Sequence, residues 1–282
     1  MDRNLPGHDP APGGVMIRQP AVASQFYPGD PASLKAELSS FIASDVKPEP
    51  VIGLIAPHAG YVYSGAVAGK VYGAVEIPTA VIILGPNHHG IGAAAALYPP
   101  GSWQTPLGSV PIEERLSALV RRHAKLVEED ADAHLYEHSL EVQVPFLQYL
   151  SPEIAIVPIC LGFGSFSSCL ELGEGIATAI REFGERVLIV ASSDMTHYES
   201  ADSARVKDEI ALERALALDP QGLLDVCRAK RITMCGVVPA TVMLVAANLL
   251  GATRARLIKY ANSGEVNGDF RQVVGYAAVT VS

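Results

Sequence analysis

Four short apolar runs, each stopped by Gly, Pro or a polar cluster, constrain this 282-residue chain more than any other feature. They are VIGLIAP (51–57), TAVIILGP (79–86), EIAIVPICLG (153–162) and RVLIVASSD (186–194). Runs of this kind, without hydrophobic–polar alternation, fit strands buried on both faces, as in parallel sheets covered by helices. The stretches between and after them, SGAVAGKVYGAV (64–75), LELGEGIATAIREFG (170–184), RVKDEIALERALAL (205–218) and the apolar run from Cys235, read as helices. ARLIKYA (255–261) and VVGYAAVTV (273–281) close the chain as further strands. The alternation predicts an α/β fold: a single domain with a central, largely parallel or mixed sheet flanked by helices. No repeat or linker divides residues 16–282, while residues 1–15, rich in Pro, Gly and Asp, are expected to form a flexible tail.

Composition narrows the function classes. Hydrophobic residues at 49% against 18% charged exclude a solvated, disordered chain. A net charge of −9 with no Lys/Arg cluster gives no footprint for nucleic acid or an anionic membrane. The most apolar segment, residues 235–251, falls short of the ~20 residues a spanning helix needs and contains Pro239 and Asn248, so it reads as a buried helix. Cys160, Cys169, Cys227 and Cys235 form no CxxC pair, and no apolar signal segment opens the chain. A reducing cytoplasm is the expected compartment.

Three of the apolar runs deliver ionisable groups at their carboxyl ends: His58, then His88 and His89, then Asp194 followed by His197. Parallel sheets bind ligands outside those ends, so these residues are expected to converge. A lone histidine after a strand is more often a turn residue than a ligand; three strand ends with the same chemistry favour a functional site. Adjacent residues rarely face the same way, so His88 is expected in the site, and His89 either supports it or faces solvent. In EHSLE (137–141), Glu137, His138 and Glu141 are expected around the first turn of a helix, with His138 and Glu141 sharing a face. The glutamates alone would be explained by the helix dipole; His138 would not. Asp194 and His197 repeat that spacing, either as a capped helix start or as a carboxylate orienting a catalytic imidazole. Cys235 opens the apolar helix, where a helix N-terminus is expected to lower its thiol pKa. Tyr61, Tyr63 and Tyr198 read as packing residues.

Taken together, RQPAVASQFYPGDPASL (18–34), IAPHAGYVYSG (55–65), LGPNHH (84–89), EHSLE (137–141), SSDMTHY (192–198), TMCG (233–236) and GYAAVTV (275–281) resemble the Memo family, whose microbial members are called AmmeMemoRadiSam system protein B. The resemblance implies a fold similar to the class III extradiol dioxygenases. By position it implies His58, His88 and Cys235 as metal ligands, Asp194 and His197 as an acid/base pair, and His138 with Glu141 lining the same pocket. A thiol among the ligands suits iron or copper, with zinc as a further candidate. Three activities follow as expectations. The first is a dioxygenase-like oxidoreductase of unknown substrate, with His197 as proton shuttle. The second is a zinc-assisted hydrolase in which Asp194 or Glu141 activates water. The third is a non-catalytic module that captures a small molecule or a peptide. The naming of microbial members also implies radical-SAM and AMMECR-type partners in one pathway.

Overall fold

The computed structural model describes residues 16–42 and 47–282, so the tail expected over residues 1–15 lies outside the described residues. In chain order the elements are β1 (Met16–Arg18), α1 (Pro31–Ile42), β2 (Gly53–Ala56), α2 (Tyr61–Gly73), β3 (Ala80–Pro86), β4 (Ala95–Leu97), β5 (Gly101–Thr105) and β6 (Gly108–Pro111). There follow α3 (Glu114–His123), β7 (Glu128–Glu129), α4 (Val144–Leu150), β8 (Ala155–Leu161), α5 (Phe166–Phe183), β9 (Val187–Ser192), β10 (His197–Glu199) and α6 (Ala201–Leu216). The chain ends with α7 (Pro220–Lys230), α8 (Val237–Leu249), β11 (Ala255–Asn262), α9 (Gly264–Asn267) and β12 (Val273–Val281).

Among the described residues the main sheet has nine strands, in the order β10-β12-β2-β9-β3-β8-β4-β7, with β11 pairing β12 from outside that path. Its centre, β2-β9-β3-β8, is parallel, and β12, β11 and β4 join antiparallel, so the sheet is mixed as expected. The four apolar runs form the four central strands, and every residue of β2, β3 and β9 is buried. Alternate residues feed opposite layers. Ile55, Ile82, Leu84, Ile189 and Ala191 pack with residues of α3, α5, α6, α7 and α8; Leu54, Val81, Ile83, Leu188 and Val190 pack with α1, α2 and α4. Burial on both faces is why these strands carry no alternation.

Register places the strand tips level. Ala56 lies opposite Ser192 in the β2–β9 pair, and Leu84 opposite Ala191 in the β3–β9 pair. His58, His88 and Asp194 therefore leave the sheet within a few residues of one plane. A second sheet of three strands, β1-β5-β6, joins Met16–Arg18 to residues 101–111 and was not legible in the sequence.

Three local expectations change. EHSLE does not open a helix: Glu137 and His138 lie outside any regular element, residues 139–140 form a turn, Glu141–Gln143 a single 3₁₀ turn, and α4 starts only at Val144. Asp194 and His197 lead into the short strand β10, not a helix. Cys235 precedes α8 by two residues.

The turn between His138 and Glu141 sends the two side chains to different places. Glu141, 1% exposed, accepts from Arg18 Nη1 (2.7 Å), Ala21 N (2.8 Å), Val22 N (3.0 Å) and the Tyr27 hydroxyl (2.7 Å). Arg18 also donates to the carbonyls of His134 and Glu137, both at 2.8 Å, and its guanidinium lies 4.3 Å from the Trp103 ring centroid. This buried clasp holds the 18–27 segment against the turn that carries His138. Removing one partner of a buried ion pair leaves an uncompensated charge, a loss of about 3–5 kcal/mol. Glu141→Gln is expected to lower the unfolding free energy by roughly that much in denaturant titration; an unchanged midpoint and slope would contradict the clasp.

Candidate functional site

His58, His88 and His138 come together at the carboxyl edge of the parallel strands. Their ring centroids form a triangle: His58–His88 5.2 Å, His58–His138 5.5 Å and His88–His138 4.7 Å. One nitrogen from each lies within 4.8 Å of the others, so the trio could hold a metal ion. His58 is buried, His138 half-buried and His88 open to solvent. Phe26 packs on the outer side of His138 at 4.8 Å between centroids, so the segment held by Glu141 forms one wall.

The groups behind the rings fix their chemistry. His88 is held twice by one carboxylate: its amide donates to Glu137 Oε2 (2.7 Å), and its ring Nδ1 lies 2.9 Å from Glu137 Oε1. Ser139 N donates to the same Oε1 (2.8 Å), and His138 Nδ1 lies 3.6 Å away. Glu137 is fully buried, yet the hydrogen bonds and charge of His88, with those from backbone amides, overcome the upward push of burial and bring its carboxyl down to about 2. An ionised carboxylate only accepts, so His88 Nδ1 carries a proton and Nε2 is the nitrogen turned away from the carboxylate. Burial is the main cause that lowers His138, to about 4, and it holds His58 well below the ordinary histidine range. The site is thus a buried anion beside three imidazoles, two of them held neutral by burial.

His58 Nδ1 lies 2.9 Å from Ser192 Oγ, and its Nε2 lies 3.1 Å from Cys235 Sγ. The Asp194 amide donates to that sulfur at 3.3 Å, and Asp194 Oδ1 accepts from the amides of His58 (2.8 Å) and Ala59 (3.3 Å). Cys235 reaches this position because residue 236 is glycine: a Cβ there would stand 2.2 Å from Ser192 O and 2.4 Å from Ser193 Cβ. Helix proximity was expected to lower the Cys235 thiol. Burial wins instead and, with the neighbouring Asp194 charge, pushes it strongly upward. Asp194, buried, is raised to about 6 by desolvation against the two amide bonds that lower it.

His197 is half-buried, with Nδ1 donating to Thr233 O (3.0 Å) and its amide to Thr233 Oγ1 (2.7 Å), so Nε2 is the nitrogen turned away from that contact. The following residue, Tyr198, is 74% exposed with φ 59°, in the bulge that β10 makes against β12. A non-glycine side chain in the left-handed region is strained, which here sets the turn carrying His197. His89 is exposed and bonds through Nε2 to the Tyr136 carbonyl (3.0 Å).

Of the residues singled out in the sequence, His58, His88, His138, Asp194 and Cys235 meet in one constellation of contacts. Glu141 does not join it, because its lone pairs serve the Arg18 clasp. Glu137, Ser192, Gln143 and Ser139 were missed as site residues. Only Glu137 had a signal, its place beside His138.

The shifts predict the pH response of the metal-free protein. His134, buried behind the site and lowered to about 4 chiefly by burial, behaves as His138 does. Between pH 6.5 and 4 the unfolded chain binds protons that these native histidines refuse, so stability falls on acidification in that window, by up to roughly 3 kcal/mol for each fully shifted group. Glu137 adds stability that is complete above its unfolded value near 4.5 and is lost as pH falls toward 2. Asp194, raised to about 6, acts in the opposite direction by taking up a proton in the native state, but three buried histidines outweigh one carboxylate. Urea titrations at pH 7, 5.5 and 4.5 are expected to give lower midpoints; a flat profile would contradict neutral buried imidazoles.

Comparison with known proteins bears on this arrangement. The family described as Memo-like protein matches residues 18–280. A MEMO1 family protein of Methanopyrus kandleri is 41% identical over 278 residues, covering 94% of this chain and 98% of its own. Those of Methanosarcina barkeri and Aquifex aeolicus are each 42% identical over 267 residues; the first covers 94% of this chain and 100% of its own, the second 93% and 98%. Among solved structures, an uncharacterized protein from Escherichia coli K12 superimposes with a TM-score of 0.52 at 14% identity, over 82% of this chain and 99% of that one. That likeness is one of fold alone.

Proposed function

Because the chain belongs to the Memo-like protein family, we propose that it is a metal-dependent enzyme whose ion is held by His58, His88 and His138, with Asp194 and His197 handling protons beside it. The observation that carries this reading is Glu137. A carboxylate anion at 0% exposure is costly without a countercharge. Among the described residues, Arg18 gives its carboxylate contact to Glu141 and only a backbone contact to Glu137, so the side chain that faces this anion is the His88 ring. A cation among the three rings places further positive charge beside this buried anion. A carboxylate behind a ligating histidine is also the usual means of fixing the ring and raising its basicity.

The donor set fits such an ion. The Nε2 of His88 points away from its carboxylate, and one nitrogen of each of the three rings lies within 4.8 Å of the others, around a space that one ion can share. When bound, the ion supplies Lewis acidity and, if it is iron or copper, one-electron chemistry. Asp194, raised to about 6, stands near neutrality, where acid/base groups work best, and the Nε2 of His197, turned away from Thr233, can accept a proton.

The Cys235 sulfur 3.1 Å from His58 Nε2 supports iron or copper and a dioxygenase-like oxidoreductase, since a soft thiol donor at the same nitrogen selects against hard ions. A second reading has its own observation. Three imidazoles with an open side are a zinc donor set, and His138 completes it without the thiol, which supports a zinc-assisted hydrolase.

Elemental analysis of anaerobically purified protein, wild type beside His58→Ala, His88→Ala, His138→Ala and Cys235→Ser, tests both. About one metal ion per chain is expected in the wild type and loss in each histidine variant. Iron or copper lost in Cys235→Ser favours the oxidoreductase, and zinc retained there favours the hydrolase. No metal in the wild type overturns both and moves the pocket to ligand capture. The radical-SAM and AMMECR-type partners belong to the same proposal; co-purification from a native source is expected to recover at least one, and recovery of neither contradicts it.

A further inference from the structure

We propose that Ser192 is a positioning residue that locks His58 in the tautomer protonated on Nδ1, so that its Nε2 presents a bare lone pair to the site. The consequence for metal binding rests on the reading above; the tautomer itself does not.

The protons and lone pairs around Ser192 Oγ leave one arrangement. Gln143 Nε2 lies 3.0 Å from Pro57 O and 2.8 Å from Ser192 Oγ. A carbonyl only accepts, so the Pro57 contact identifies that atom as the amide nitrogen, and the nitrogen can only donate to Ser192. The Ser192 hydroxyl has one proton. It lies 2.6 Å from Ser139 O, again a pure acceptor, and the proton goes there. Ser192 Oγ has then spent its hydrogen and one lone pair. What remains toward His58 Nδ1, 2.9 Å away, is a lone pair, so Nδ1 must carry hydrogen. The neutral ring has no second proton to give, and Nε2 faces Cys235 Sγ as an acceptor.

The same accounting explains why an uncharged serine stands at the tip of the central strand. Ser192, Gln143 and Ser139 are all buried, so each of these bonds is made in a low-dielectric setting and none can be exchanged freely with water. Ser139 ties the arrangement together. Its carbonyl takes the Ser192 proton behind His58, its amide holds Glu137 behind His88, and its hydroxyl donates to Pro86 O (3.0 Å) at the tip of β3. Gly85 leaves room for this, since a Cβ there would stand 2.6 Å from Ser139 Oγ. The backing of two histidines thus passes through one residue next to the third.

Two readouts test the assignment. Long-range ¹H–¹⁵N correlation spectra of metal-free protein are expected to show His58 with a protonated Nδ1 and a bare Nε2. In Ser192→Ala the Nε2-protonated form is expected to appear, with Zn²⁺ affinity falling on the order of 10–100-fold, and Ser192→Thr is expected to restore both. A wild-type ring protonated on Nε2, or an unchanged tautomer in Ser192→Ala, overturns the proposal. The wild-type spectrum does so even if a variant fails to fold. A tautomer shift with no Zn²⁺ bound by any protein leaves Ser192 in its role and defeats the metal reading. Zn²⁺ bound with the tautomer unmoved in Ser192→Ala does the reverse.

Discussion

A carboxylate that cannot reach water governs this site. Glu137 lies beneath His88 and close to His138, and its ionised state follows from hydrogen bonds, not from exposure. Its own backbone carbonyl is held by Arg18, whose charge is balanced by Glu141 one turn further on. Two buried carboxylates in one short turn therefore divide the work. Glu141 neutralises the cation that fastens the amino-terminal segment, and Glu137 leaves a negative charge facing the histidines.

The sheet makes that turn useful. Level tips on β2, β3 and β9 bring His58, His88 and Asp194 to one edge, and the 137–141 turn crosses the same edge to add His138. Glycines at 85 and 236 permit two close approaches at this edge: the turn against β3, and Cys235 against the end of β9. Neither glycine has positive φ, so both are required by the space a side chain would occupy, not by backbone conformation.

Much of this was legible in the sequence, for reasons that can be stated. Apolar runs without alternation mark the central strands because those strands are covered on both faces, and Gly-Pro or Ser-Ser stops mark where polar chemistry begins. His58, His88 and Asp194 follow directly. Glu141 was misplaced because a three-residue spacing implies a shared face only inside a helix, and here the backbone turns between the two positions. The Cys235 thiol was expected to be acidified by α8; it is buried, and desolvation outweighs a helix end. Ser192 and Gln143 carry no charge and no motif, so only their hydrogen bonds reveal them. The small β1-β5-β6 sheet pairs residues some eighty-five positions apart in strands of three to five residues, too short for periodicity to register.

The central claim is that His58, His88 and His138 share one ion. X-ray absorption fine structure of the metal-loaded protein tests it most directly, because imidazole rings give a multiple-scattering signature that counts them. The account predicts three imidazole nitrogens at about 2.0–2.1 Å, with any sulfur contribution arising from Cys235. A shell of oxygen donors, or a single imidazole, would contradict it.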